Sequence, residues 1–166
     1  MYNSLSVYLR DVHHIDPSGY GFLLTASAVV VILFQFSVTR YIKNKAPFVI
    51  MAVGTLFYVI GFSMFGFVNV YWMFVAAIIV VTMGEMLVVP TSQVLVAGFA
   101  PEDMRGRYMG VFGMTWSIPG VVAPYLAGVI LDNLDPNLLW YLGGILCAVA
   151  AFAFFGLHAV LGKQKR

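Results

Sequence analysis

Charged residues interrupt this mostly apolar chain at only a few places and divide it into long uncharged segments. The longest segments without Asp, Glu, Lys or Arg are residues 17–39, 46–84, 108–131 and 136–162. A helix needs roughly 20 apolar residues to cross the hydrocarbon core of a bilayer. The apolar runs are continuous rather than alternating, which favours membrane-spanning helices over the strands of a barrel.

The turns between these segments carry residues that begin and end helices. Pro17 and Pro47 suit the first turn of a helix. Gly66 and Asn69 indicate a tight hairpin inside the longest uncharged segment. The pattern therefore predicts an all-α polytopic membrane bundle of five full spans, preceded by a helix stub at residues 1–9. The predicted spans are about residues 19–39, 47–67, 70–97, 108–131 and 138–161.

Composition excludes several classes of protein. Only 10% of the 166 residues are charged and 61% are apolar, with a mean hydropathy of +0.92. Soluble domains carry about 25% charged residues, so the composition argues against a soluble globular core. The net charge of +2 and the absence of a basic patch argue against a nucleic-acid partner. The lone Cys147 permits no disulfide or zinc site within the chain, and residues 1–16 lack the pattern of a cleavable signal peptide.

Basic residues fall on one side of the predicted membrane. That side holds Arg40, Lys43, Lys45, Arg105, Arg107, Lys163, Lys165 and Arg166. Arg10 is the one basic side chain on the other side. Cytoplasmic loops are enriched in Lys and Arg. We therefore expect a multi-pass protein of the cell membrane, with its C-terminus in the cytoplasm.

One carboxylate lies about halfway along the third predicted span. Thr82, Glu85 and Ser92 are separated by three and seven residues, which places them on one helix face. Ionisable side chains at this depth are costly and usually face a bundle interior or a water-filled cavity. Because burial disfavours the charged form, Glu85 is a candidate for binding a proton or a substrate. The alternative is a protonated carboxyl that is hydrogen-bonded for packing.

Prolines inside two spans are candidates for helix bends. Pro90 follows Glu85 in the third span, and Pro119 and Pro124 lie in the middle of the fourth. A proline removes one backbone hydrogen bond, although membrane helices tolerate such kinks. Small residues recur every three or four positions in the fourth span, at Gly110, Gly113, Ser117, Gly120 and Gly128. That stripe predicts a seam for close helix packing.

Other polar residues give weaker signals. Gln35 lies near the cytoplasmic end of the first span, with Ser27 two turns earlier on the same face. Either side chain could line a polar path, but a hydrogen bond between helices is the favoured interpretation. His13, His14 and Asp16 could suggest a metal, yet they lie in a polar loop without a fourth ligand at useful spacing, which favours a solvated loop. No cofactor is expected, because the sequence contains no phosphate-binding or catalytic motif.

Two motifs carry a resemblance to a known family. Pro101–Gly110 reads Pro-Glu-Asp-Met-Arg-Gly-Arg-Tyr-Met-Gly, and a helix follows with Trp-Ser-Ile-Pro-Gly-Val-Val-Ala-Pro-Tyr-Leu-Ala-Gly. This stretch resembles the tenth-to-eleventh helix region of the major facilitator superfamily. Arg10-Asp11 after Val7-Tyr8-Leu9 resembles the end of that family's seventh helix. The five spans then correspond to helices eight to twelve, and the chain to the C-terminal half of the fold.

Two further details bear on the branch of the family. Gly84-Glu85 with Pro90 resembles the drug:proton antiporter branch. The turn at residues 39–45 resembles an altered copy of the family's Asp-Arg-x-Gly-Arg-Arg gating loop, with Arg40 retained. Thr39 stands where the acid is expected and Ile42 where the glycine is expected, which weakens a charge lock there.

The resemblance implies a secondary transporter built from two six-helix halves around a midplane cavity. On this reading the chain is a fragment, and its partners are the missing N-terminal six-helix half, a small-molecule substrate, protons and the lipid bilayer. The expected activity is proton-coupled efflux of amphipathic compounds, with Glu85, Thr82, Ser92 and Gln35 at the binding site. Arg105 and Arg107 would help the cytoplasmic gate, pairing with Glu102 or Asp103.

Two alternatives stay open. The same fold could take up a sugar or metabolite with protons, although sugar sites need several polar side chains. A membrane protein that only assembles with or regulates another is the second alternative. An intramembrane enzyme is disfavoured because no second catalytic group lies near Glu85.

Overall fold

The computed structural model describes residues 2–164, with side chains described for residues 2–161, and consists of helices joined by short turns. The helices are α1 (Tyr2–Asp11), α2 (Pro17–Ile42), α3 (Pro47–Phe67), α4 (Tyr71–Phe99), α5 (Arg105–Asn133) and α6 (Leu138–Gln164). A single 3-10 turn, Glu102–Met104, precedes α5. The predicted all-α class, with five long helices after a short one, is confirmed. Lys165 and Arg166, which the charge pattern assigned to the cytoplasmic side, lie outside the described residues.

The five helices after α1 are long and apolar enough to cross a membrane. Pro17 and Pro47 each occupy the first turn of their helix, where a missing backbone N–H leaves no broken hydrogen bond. Both α2 and α5 extend beyond the predicted spans at each end. Pro90 lies within α4, and Pro119 and Pro124 lie within α5, and both helices continue through their prolines.

Helix α3 is at the centre of the packing, with α4 on one side and α6 on the other, while α2 packs against α4. The closest approach of α3 and α4 is made at two glycines. A Cβ atom added to Gly84 would lie 2.7 Å from the carbonyl oxygen of Gly54. One added to Gly54 would lie 2.7 Å from Val88 Cγ2 and 3.0 Å from Leu87 Cβ. Only glycine at both positions allows these backbones to approach so closely.

The most deeply buried part of the molecule is the end of the bundle where α1 is inserted. Leu5, Tyr8 and Leu9 of α1 are completely or almost completely buried. They join a cluster that includes Phe65, Phe74 and Trp140 from three other helices. The Tyr8 hydroxyl donates a hydrogen bond to Asn137 Oδ1 at 2.7 Å, which ties α1 to the turn before α6. The short first helix is therefore an integral part of the core.

Helix α5 packs least against the rest of the described chain. Ala127 is its one buried residue, and apolar side chains such as Val121 and Tyr125 are exposed. A Cβ atom added to Gly110, Gly113, Gly120 or Gly128 would meet no atom within 4 Å. The predicted close-packing seam on this helix therefore has no partner among the described residues, and the close glycine contacts join α3 to α4, at Gly54 and Gly84, and α3 to α6, at Gly66.

The loop between α1 and α2 differs from the solvated loop that the sequence suggested. His14 and Asp16 are exposed, but the His13 ring packs between Tyr8 and Phe74, with centroid distances of 5.0 and 4.8 Å. Burial, with a smaller repulsion from His14, lowers the pKa of His13. In the described part of the chain, no group of three His, Cys, Asp or Glu residues could hold a metal.

Candidate functional site

The candidate site is centred on Glu85 of α4, and the packing of α4 fixes where this residue lies. Its neighbour Gly84 is in contact with Gly54 of α3. Because successive helical residues are rotated by about 100°, Glu85 is directed away from that contact. It is half-buried and lies next to α1 and α2. Close packing of two glycines thus sets the rotation of the helix that carries the carboxylate.

A tyrosine from the first helix binds this carboxylate. The Tyr2 hydroxyl donates a hydrogen bond to Glu85 Oε2 at 2.8 Å, across 83 residues of sequence. The backbone carbonyl of Tyr2 accepts a second bond, from the Tyr20 hydroxyl of α2 at 2.9 Å. Tyr2 is therefore held between α2 and α4, and Glu85 has a partner within this chain.

A pair of hydroxyls lies one helical turn before Glu85. Thr82 Oγ1 and Ser27 Oγ are 2.8 Å apart, and both residues are buried. Thr82 donates its single hydroxyl hydrogen to the carbonyl of Ile78 at 2.7 Å. Ser27 is therefore the donor to Thr82, because a hydroxyl has one hydrogen to give. This bond joins α2 to α4, and it leaves Thr82 with no hydrogen to donate to a substrate.

A cavity of about 340 Å³ opens beside Glu85 between α2 and α4. Its lining consists of Val31, Gln35, Glu85, Met86, Val89, Pro90 and Gln93. Gln35 also donates from Nε2 to Thr39 Oγ1 at 3.1 Å, within its own helix. Glu85 is the only ionisable residue of this lining. The cavity is thus mainly apolar, with two amides and one carboxyl.

The structure brings together only part of the predicted set. Glu85, Gln35 and Pro90 share the cavity, and Thr82 lies one turn from it. Ser92 is buried elsewhere and donates to the carbonyl of Val89 at 2.9 Å. Gln93 lines the cavity instead of Ser92.

The predicted gate residues are separate from this site. Arg40, Arg105 and Arg107 are exposed and absent from the cavity lining. Within residues 2–164, Arg105 and Arg107 form no ion pair with Glu102 or Asp103, and the ion pair found is Arg10–Asp11. The prolines of α5 also lie outside the lining. The predicted salt bridges of Arg105 and Arg107 are therefore absent from the described residues.

Sequence reasoning missed Tyr2 and Gln93. Gln93 had a detectable signal, because an offset of eight from Glu85 returns to the same helix face. Tyr2 had none, because its contact depends on how α1 docks against α4. The ring of Tyr58, from α3, was missed for the same reason; its Cδ1 lies 3.4 Å from the position of a Cβ on Gly84.

The chemistry available to this site is reversible binding rather than bond breaking. An ionised Glu85 accepts the Tyr2 hydrogen bond and attracts a cation or a proton, and a protonated Glu85 leaves the cavity neutral. When Glu85 is ionised, the lining therefore holds one negative charge and no Lys, Arg or His that could pair with it.

Comparison with known proteins identifies the family. The sequence model of the Major Facilitator Superfamily matches residues 1–166. Similar proteins include the uncharacterized MFS-type transporter YttB of Bacillus subtilis, 29% identical over 121 residues, which are 72% of this chain and 30% of that protein. A Na(+), Li(+), K(+)/H(+) antiporter of Planococcus maritimus is 26% identical over 107 residues, 64% of this chain and 25% of that protein.

A fungal relative extends further along the chain. The efflux pump FUS6 of Gibberella fujikuroi is 24% identical over 140 residues, which are 84% of this chain and 24% of that protein. The chain therefore spans about a quarter to a third of the length of these relatives. The matches are to transporters and not to enzymes.

Proposed function

The chain belongs to the Major Facilitator Superfamily, and from this premise we propose that it is the C-terminal half of a proton-coupled antiporter that exports amphipathic molecules. Transporters of this superfamily have two six-helix halves around a midplane cavity. A length of about a quarter to a third of the relatives supports the assignment to part of a transporter. The missing N-terminal half is then the partner with which this chain encloses the substrate.

The observation that carries the proposal is the position of Glu85. Its carboxyl binds the Tyr2 hydroxyl and borders the cavity that also contains Gln35 and Gln93. Protonation neutralises the site, and loss of the proton restores a negative charge in a mainly apolar cavity. A cationic amphipathic substrate and a proton therefore compete for the same carboxylate, which is the requirement for exchange.

The side chains that line the cavity indicate the class of substrate. Apolar side chains from Val31, Met86 and Val89 favour a molecule with a large apolar surface. Sugar recognition needs more hydrogen-bonding groups than two amides and one carboxyl, which disfavours uptake of a sugar. The name of the FUS6 efflux pump agrees with export. Exchange of monovalent cations for protons is the second candidate, favoured by the Planococcus antiporter and by the carboxylate itself.

The remaining predicted residues receive roles in the transport cycle. Pro90 borders the cavity and is a suitable point for α4 to bend during the cycle. Pro119 and Pro124 provide a second flexible region in α5. Arg40, Arg105 and Arg107 are exposed at what we propose to be the cytoplasmic side of the cell membrane, where they act at the gate in another conformation.

The test measures transport driven by a pH gradient in inside-out vesicles that contain the complete transporter. Glu85→Gln keeps the shape of the side chain and removes its titration, so accumulation of a cationic dye is expected to fall at least tenfold, a loss of about 1.4 kcal/mol. The matched control is Asp132→Asn, which makes the same chemical change at an exposed residue in the last turn of α5, outside the cavity lining. Wild-type dye transport by Glu85→Gln contradicts the proposal, and Na⁺ exchange without dye transport identifies the second candidate.

A further inference from the structure

A second cavity lies near the ends of α2 and α4, separated from Glu85 and on the other side of Pro90. It has a volume of about 440 Å³, within the range of about 300–1,000 Å³ that is usual for small-molecule sites. Its lining consists of Thr39, Ile42, Lys43, Lys45, Pro47, Pro90, Thr91, Val94, Leu95, Gly98 and Phe99. Glu85, Gln35 and Gln93 are not part of it.

The lining is divided by polarity along the membrane normal. Lys43 and Lys45 come from the turn between α2 and α3, outside the spans. Val94 and Leu95 lie within α4, inside the apolar region. The ammonium of Lys45 lies 5.2 Å from the centre of the Tyr41 ring, which holds one of the two charges near the rim. A ligand that fills this cavity therefore needs an anionic end and an apolar end.

A buried hydroxyl inside the cavity also lacks a partner. Thr91 is 9% exposed and lines the cavity. Its Oγ1 atom is buried and makes no hydrogen bond with any described residue. Buried hydroxyls are normally paired, because leaving one unpaired costs free energy. A rotation of the Thr91 side chain towards the cavity would pair this hydroxyl with an oxygen of a bound ligand.

The cavity opens to the surface of the bundle rather than into its core. Val94 and Phe99 are 73% and 65% exposed, and both belong to a helix that spans the membrane. On this face of the chain an occupant can therefore enter the cavity from the side of the bundle, while its head group stays at the level of the two lysines. Free anions in water would meet the lysines but gain nothing from the apolar part.

From these contacts we propose that the cavity is a binding site for an anionic membrane phospholipid. The phosphate lies between Lys43 and Lys45, a glycerol-ester oxygen accepts a hydrogen bond from Thr91, and the start of an acyl chain fills the space beside Leu95 and Phe99. The site is distinct from the Glu85 cavity, so its occupancy is independent of the substrate and proton assignments made above.

The first test titrates phosphatidylglycerol onto the purified chain in detergent and counts bound lipids by native mass spectrometry. Basic residues near a membrane surface contribute about 1 kcal/mol each to anionic-lipid binding, so Lys43→Gln with Lys45→Gln should weaken binding about thirty-fold. The control, Arg105→Gln with Arg107→Gln, removes the same charge from residues outside the cavity, so it measures the general surface-charge effect and should weaken binding clearly less than the lysine variant does.

Two probes identify the source of the anion. Phosphatidylcholine has the same acyl chains without net charge, and glycerol phosphate has the anion without the chains. Both are expected to bind at least tenfold more weakly than phosphatidylglycerol. The proposal is overturned by any of three results. Phosphatidylcholine binds as tightly as phosphatidylglycerol, glycerol phosphate binds as tightly as phosphatidylglycerol, or the two double variants lose the same affinity for phosphatidylglycerol.

A second measurement leaves the lysines intact and so does not depend on how their variants fold. Phe99→Trp adds a fluorophore at the cavity, and Phe67→Trp adds one at a similarly exposed apolar position outside it, because Phe67 is 73% exposed. Each signal is the difference from the parent chain, which contains Trp72, Trp116 and Trp140. In vesicles with brominated phosphatidylglycerol, tryptophan at position 99 is expected to be quenched more strongly than in vesicles with brominated phosphatidylcholine. The tryptophan at position 67 should be quenched equally by the two brominated lipids. Equal quenching by both lipids at position 99 contradicts the proposal.

The hydroxyl is tested by Thr91→Val, which keeps the shape of the side chain. Without lipid this change removes an unpaired buried hydroxyl, so the chain should unfold at a higher temperature. Affinity for phosphatidylglycerol should fall about twofold to tenfold, because a hydrogen bond to the lipid is lost. Unchanged affinity removes Thr91 from the site and overturns its assignment.

Discussion

The contact between α3 and α4 supports the Glu85 site, and a single methyl group at Gly84 tests it. A Cβ atom at this position would lie 2.7 Å from the carbonyl oxygen of Gly54 and 3.2 Å from Phe57 Cβ. Both distances are shorter than ordinary van der Waals contact. The carbonyl oxygen belongs to the backbone, so it cannot rotate away as a flexible side chain does. Gly84→Ala therefore forces the two helices apart.

The cost follows from overpacking, which typically destabilises a well-packed core by about 1–3 kcal/mol. Alanine has a higher helix propensity than glycine, by about 1 kcal/mol in water, and this gain would mask part of the cost. Gly113→Ala is the matched control, because Gly113 is also inside a long helix but a Cβ there meets no atom within 4 Å. The difference between the two variants isolates the steric cost, which we expect to be about 1–3 kcal/mol.

The assay is reversible unfolding of the purified chain in mixed micelles with increasing dodecyl sulfate. Trp140 is buried in the core cluster, so tryptophan fluorescence reports the loss of helix packing. Gly84→Ala should unfold at a lower detergent fraction than Gly113→Ala. Combining Gly84→Ala with Gly54→Ala should cost less than the sum, because both changes act on one contact. Equal stability of Gly84→Ala and Gly113→Ala refutes the close crossing.

Two further predictions concern the membrane loops. Burial lowers the pKa of His13 in the folded state. The stabilisation that the neutral, packed imidazole provides is therefore complete above the unfolded pKa of about 6.5, and it is lost as the pH falls through the lower pKa of the folded state. Thermal unfolding should therefore show a larger loss below pH 6.5 for the original chain than for His13→Gln, and parallel curves contradict the packing of His13. The orientation in the membrane is tested by labelling intact cells with an impermeant thiol reagent, in a Cys147→Ser background. A cysteine that replaces Asn133 should react, and one that replaces Lys43 should not. The reverse labelling pattern would show that the chain has the opposite orientation.

The positions of the long helices were predictable because the bilayer imposes their length. A span needs about 20 apolar residues, and the uncharged segments are of that size or contain a turn signal such as Gly66 and Asn69. Pro17 and Pro47 also begin α2 and α3 as expected. These features are local in sequence, and they do not depend on how one helix packs against another.

The pairing of helices could not be predicted, because the spans are apolar around their whole circumference. When every face is apolar, the period of the sequence does not identify the face that meets a neighbour. The small residues of α5 therefore gave a plausible seam, whereas the close contacts lie between α3 and α4, at Gly54, Gly61 and Gly84. Spacing of glycines alone does not distinguish a contact from an open face.

The partner of Glu85 illustrates the same limit at the functional site. The sequence did not identify the hydrogen-bond partner of Glu85, because that partner lies 83 residues away along the chain. The structure gives it a partner in Tyr2, at the first described position of the short helix α1. The same helix also places Leu5, Tyr8 and Leu9 in the core, where they are completely or almost completely buried. One short helix thus joins the packing core to the candidate proton site, so a movement of α1 would change the hydrogen bonding of Glu85 directly.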